Sequence, residues 1–143
     1  MLPDLDVLAF RFGVAYSDAA GHRGVTHSLV FALLLGVLAA CLASSLRCAW
    51  RTAFAFVFVS AASHGLLDML TNGGMGVALW WPLSDERFFF PWHPVEASPL
   101  SLRRVFSARG ATVLGSEVLW VWLPAMALAL ATVAVLLRRG RRV

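Results

Sequence analysis

Imidazole and carboxylate side chains stand together in three short stretches of this sequence: Asp4 and Asp6 in PDLD, His22 and His27 in GHRGVTHS, and His64 and Asp68 in HGLLDM. That mixture of donors binds divalent ions such as zinc or manganese, whereas calcium and magnesium prefer oxygen alone. Cys41 lies inside an apolar run and Cys48 just beyond it, which suits neither a disulfide framework nor a paired thiolate site. Without thiolates, an open site with room for water or substrate fits better than a closed structural zinc. The spacing of His64 and Asp68 puts both on one face of a helix, with Thr71 a turn further along the same stripe. Glu117, ahead of another apolar run, is a candidate proton carrier. Arg23, between His22 and Gly24, could meet a phosphate oxygen, as could any interfacial arginine a lipid headgroup.

Each piece also has an ordinary reading. Asp4 and Asp6 could solvate a loop or cap a helix, and Thr26 or Ser28 could cap the helix that follows His27. His64 and Asp68 could be a hydrogen-bonded pair that locks helix packing, and Glu117 could complement a helix dipole. Gly21 and Gly24 would let backbone come close to a bound group. What favours chemistry is that all these residues fall at one level once the elements that carry them are laid out.

Those elements are set by composition. Of the 143 residues 59% are hydrophobic and only 14% charged, too little polar surface for a soluble domain of this size, so the expected solvent is lipid. The net charge of +4 comes from twelve arginines, four of them in the last six residues, where they suit phospholipid headgroups and give no reason to expect nucleic acid. Three segments approach the length a bilayer demands: 29 to 46, 53 to 70 and 118 to 137. The fold class expected is therefore all-α, a polytopic membrane bundle of about three transmembrane helices forming one membrane-embedded domain over 1 to 143. Arg47 and Arg51 in the 47 to 52 connector, with the arginine tail, place that connector and the C-terminus in the cytoplasm. Residues 1 to 28 and the long connector 71 to 117 then share the opposite side, and Asp4, Asp6, His22 and His27 before the first segment, His64 and Asp68 at the end of the second and Glu117 at the start of the third all fall at that face. The aromatic stretch WWPLSDERFFFPWHP belongs in the interface.

The motifs PDLD, GHRGVTHS and HGLLDMLTNGG, continued by WWPLSDERFFFPWHP and SARGATVLGSEVLW, resemble those of the YdjM family over nearly the whole chain. These are small bacterial inner-membrane proteins described as membrane-bound metal-dependent hydrolases. The resemblance implies that Asp4 and Asp6 are the family's acidic pair, His22 and His27 its HRG-TH segment, His64 and Asp68 its H-LD segment, and Glu117 the glutamate that opens its last span. Members usually begin with a further apolar helix that carries a histidine, whereas this sequence opens at PDLD, so one wall of the bundle is expected to be missing. His93, where relatives tend to show a non-ligand residue, reads as an interfacial side chain.

The resulting expectation is a multi-pass inner-membrane hydrolase that uses a divalent metal ion on an ester or phosphoester, lipid-linked by preference. His27, His64 and Asp68 are the first candidates for ligands, followed by Asp4, Asp6 and His22. Asp4, Glu117 and Arg23 are the candidates for catalysis. Membrane lipid is the expected partner, and oligomeric state is not legible. A transporter or proton relay would carry ionisable groups across the bilayer, but the inner halves of all three segments hold none. A structural protein with buried polar pairs would bind no stoichiometric metal.

Overall fold

The computed structural model describes residues 2–98 and 106–140, the last two by backbone alone. Arg103 and Arg104 of the long connector and Arg141 and Arg142 of the tail lie outside the described residues. Regular structure is helical, with isolated bridges such as Val77 to Phe88 in place of strands among the described residues. The chain divides into two compact units, Met1–His93 and Pro94–Val143.

The first unit opens with a 3-10 helix, Pro3–Phe12, in which Pro3 supplies a preset φ at the start and Gly13, at φ 80°, ends it. A second 3-10 turn, Val25–His27, leads into helix α1, Leu29–Cys41, whose first turn is capped by Ser28 Oγ accepting from Phe31 N at 3.1 Å. Helical turns continue past Cys41 and close at Arg47, which adopts φ 51°. There Cys48 N donates to Ala43 O and Arg47 N to Ser44 O, the pair of bonds that satisfies a helix's last carbonyls. Regular helix thus stops at Cys41, short of the expected end at 46, and the remainder of that segment is turn.

Helix α2, Trp50–Asp68, packs back along α1. Gly65 approaches His27, Gly36 approaches Phe54 and Phe58, and Ala39 and Ala43 cluster with Ala53, a sequence of contacts that runs in opposite directions along the two helices. Small residues therefore form the inner seam of an antiparallel hairpin. Many of the large ones, including Leu34, Val37, Leu38, Phe56 and Val59, are exposed, while Phe54 and Phe58 lie against Gly36.

In the second unit α3, Ala108–Glu117, a π segment, Val118–Trp122, and α4, Leu123–Gly140, follow without interruption. The wide turns lie just before Pro124, which brings no amide proton and whose ring crowds the preceding turn. Among the described residues this is the one helix, Ala108–Arg138, long and apolar enough by itself to cross a bilayer. The expected first and second spans are helical, but α1 is short and α2 mixes Arg51, serines, His64 and Asp68 among its apolar residues. Nor does the last helix begin at 118. It starts ten residues earlier, so Glu117 lies inside a helix rather than at its mouth.

Candidate metal centre

The loop between the two 3-10 helices carries His22 and Arg23, and the second of those helices ends on His27, all three buried. Gly21 and Gly24 allow it: a Cβ on Gly21 would strike the Ala15 and Tyr16 carbonyls, and one on Gly24 that of Ala19. Their close approach is thus to the loop's own backbone, not to a bound group. Arg87, from the aromatic stretch, ties the loop down by donating to His22 O at 2.9 Å, Asp18 O at 3.0 Å and Tyr16 O at 3.2 Å. Neither Arg87 nor Tyr16, whose ring meets His22 edge-on, stood out in the sequence, because a lone arginine among aromatics looks like an interface anchor.

His27 stands at the centre, its side chain fully buried, with carboxylates on both sides of the ring. Its Nε2 faces Asp68 Oδ2 at 3.1 Å and Asp4 Oδ1 at 3.6 Å, and His64 Nε2 reaches the same Asp4 oxygen at 3.1 Å. One donor atom from each of Asp4, His27, His64 and Asp68 lies within 4.8 Å of the others. A tetrahedral zinc site with ligands at ordinary distances spaces them about 3.4 Å apart, so these contacts are of the right size. The fit has a second sign: His27 Nε2 is buried without a well-aligned hydrogen bond. A buried nitrogen is seldom left so unless something else is meant to meet it.

On the other side His27 Nδ1 lies 3.3 Å from Asp6 Oδ2, and Asp6 Oδ1 lies 2.6 Å from His22 Nδ1. Asp6, His22 and His27 form a second group close enough to hold an ion. Arg23 is not turned to a headgroup. Its Nη1 donates to Gly73 O at 2.7 Å and its Nε sits 3.4 Å from Asp68 Oδ2, with the backbone in the left-handed region at φ 64°. Glu117 belongs to the second unit, where Ser98 Oγ donates to it at 3.3 Å, and His93 is exposed against Phe89.

The charges are strongly coupled. Burial alone would push the Asp4 and Asp6 carboxyls upward, but the close approach of His27 and His64 to Asp4, and of His22, His27 and Thr26 to Asp6, outweighs it and holds both well below the usual carboxylate range. Burial would lower His27, yet its contacts with Asp4, Asp6 and Asp68 prevail and raise it to about 10. A histidine so surrounded keeps a proton that a cation could replace.

The family model described as YdjM inner membrane protein matches residues 1–141. Inner membrane protein YbcI of Escherichia coli (strain K12) is 49% identical over 134 residues, which cover 90% of this chain and 75% of that protein. No solved structure matches the chain. With its motifs matched almost from end to end and a relative at about half identity, the chain belongs to the YdjM inner membrane protein family.

Proposed function

We propose that this inner membrane protein is a metal-dependent hydrolase of an ester or phosphoester, with one divalent ion, zinc or manganese, held by Asp4, His27, His64 and Asp68. The observation that carries the reading is the buried His27 Nε2, without an aligned partner, facing two carboxylates and a second imidazole. What a divalent ion supplies at such a site is Lewis acidity, which lowers the pKa of water to about 7 and polarises the scissile group.

The chain's own residues set access and charge. The His27 side chain is fully buried and makes a closed wall, while the Asp4 side chain is 35% exposed, so substrate would enter on the Asp4 side. Arg23, at 3.4 Å from Asp68, restrains that carboxylate and offsets part of the cluster's negative charge. A lipid or lipid-linked substrate is the favoured class, since exposed Leu5 and Leu8 share the 3-10 helix that carries Asp4. Three spans, 29 to 46, 53 to 70 and the last helix, with the C-terminus in the cytoplasm, would put this site on the non-cytoplasmic side.

A second reading has its own observation. With His27 raised to about 10, protons alone can satisfy the carboxylates, and the cluster would then lock the N-terminal segment to α2 without an ion. Elemental analysis of detergent-purified protein separates the two. The hydrolase reading expects close to one zinc or manganese per chain, lost in His64→Ala and Asp68→Ala. A folded, metal-free wild type that takes up neither ion would leave only the lock. Given an ion, phosphoester and lipid substrates assayed with it removed and restored test the reaction.

A further inference from the structure

Two groups of side chains could each hold an ion, and both use His27. The hydrogen bonds around Asp6 decide between them. The Thr26 hydroxyl has one proton, and its 2.6 Å contact with Asp6 Oδ2 uses it, because an ionised carboxylate can only accept. At its 3.0 Å contact with His27 Nδ1, Thr26 Oγ1 must therefore be the acceptor, so Nδ1 carries the proton. Asp6 Oδ2, 3.3 Å from the same nitrogen, draws it the same way.

Asp6 is also engaged on both oxygens. It meets His22 Nδ1 on Oδ1 at 2.6 Å, and on Oδ2 the Thr26 hydroxyl, the Arg23 amide at 3.2 Å and His27 Nδ1. A carboxylate has about four lone-pair directions, and the Asp6 side chain is only 2% exposed. Oδ2 is thus crowded and Oδ1 is already committed to His22 at a distance too short for both atoms to ligate one ion, so an ion here would have to displace an existing partner. His22 in turn is held by the edge of Tyr16 and by Arg87 on its carbonyl.

We infer that Asp6 is a positioning residue rather than a metal ligand: with Thr26 and His22 it fixes the Nδ1-protonated tautomer and the ring plane of His27, so that Nε2 is the nitrogen presented to the ion. The inference rests on the proposed ligand set and divides its labour. Asp4, His64 and Asp68 hold the ion with His27, while Asp6, Thr26 and His22 hold His27. Carboxylates that accept from the remote nitrogen of a ligating histidine commonly tune metal affinity by about 10- to 100-fold.

The test is zinc binding by the full chain in detergent, measured by competition with a chromophoric chelator, together with nitrogen NMR of the histidine rings in the zinc-loaded protein. Wild type should bind one ion, with His27 coordinated through Nε2 and protonated at Nδ1. Asp6→Asn should still bind one ion, about 10- to 100-fold more weakly. Thr26→Val, which keeps Asp6 and removes one hydroxyl, should weaken binding in the same direction by a few-fold, and it serves if Asp6→Asn does not fold. Two ions in wild type, coordination through Nδ1, or unchanged affinity in a folded Asp6→Asn or Thr26→Val would each overturn the inference while leaving the metal reading intact. A wild type that binds no ion would remove both.

Discussion

At the scale of single residues, the cluster makes stability depend on pH in a direction that can be worked out. In metal-free protein the folded His27 titrates near 10 against an ordinary value of 6.5. Its contribution is therefore complete below about 6.5 and is lost as pH rises through 10. Asp4 and Asp6 are depressed from 3.8, so theirs is present above about 4 and lost as pH falls below it. Melting temperature in chelator should form a plateau between about pH 4 and 6.5 and decline on both sides. His27→Gln should flatten the alkaline limb; an unchanged limb would mean that His27 is not held protonated. Arg23 supports a second expectation. Its side chain is 7% exposed and its partner Asp68 17%, so Arg23→Met removes one of two cationic groups beside a mostly buried carboxylate, His27 being the other, and should cost about 1 to 3 kcal/mol in denaturant unfolding. A loss under 1 kcal/mol, the scale of an exposed pair, would contradict it. Residue type and spacing were enough to pick out His27, His64, Asp4 and Asp68 in the sequence. The split between those residues and Asp6 with His22 was not legible, because it depends on which ring nitrogen faces which oxygen.

At the scale of elements, the helices bring the cluster together through glycine. His64 can reach Asp4 only because α2 runs close to the 3-10 turn at His27, and Gly65 permits that approach: a Cβ there would fall 2.7 Å from His27 O. Gly65→Ala should push α2 away, lower stability by about 1 to 3 kcal/mol as overpacking does, and weaken metal binding with it. Gly115→Ala, in α3 at a position where a Cβ meets nothing within 4 Å, should instead stabilise by about 0.5 to 1 kcal/mol. The pair of variants controls for glycine itself, and equal losses in both would count against the close approach. Helix ends were unevenly legible. Ser28 caps the start of the first apolar segment, as its place in the sequence suggests, but regular helix stops at Cys41, before the expected end. The start of the last helix was missed, since Arg109, Gly110 and Ser116 hid ten helical residues in what looked like a polar loop. On that pattern Glu117 reads as opening a span. Arg109 is in fact paired with Glu96 at 2.7 Å, and Ser116 accepts from Glu96 N at 3.0 Å, contacts between residues too far apart for any local pattern to signal.

At the scale of the whole molecule, the distribution of side-chain size is that of a protein solvated by lipid. The hairpin buries alanine and glycine between its helices and exposes leucine, valine and phenylalanine, and in the last helix Leu128, Leu130 and Leu137 are likewise exposed. Where both the surroundings and the side chains are apolar, burying large residues gains little, and close helix contact through small ones is what holds the pair. Composition made the membrane legible, but not how many times the chain crosses it. Arginine placement gives a concrete expectation, because Arg47 and Arg51 flank the turn between α1 and α2, and short arginine-bearing loops stay in the cytoplasm. Cys48, exposed in that turn, is a natural reporter, and Ser17, exposed in the loop that precedes His22, marks the opposite end of the hairpin. In a Cys41→Ser background, a membrane-impermeant maleimide should leave Cys48 unmodified in intact spheroplasts and label it once they are permeabilised. With Cys48 also changed to serine, Ser17→Cys should be labelled without permeabilisation. If both positions react from the same side, α1 does not cross the bilayer, and the metal cluster would face whichever compartment the reagent reached.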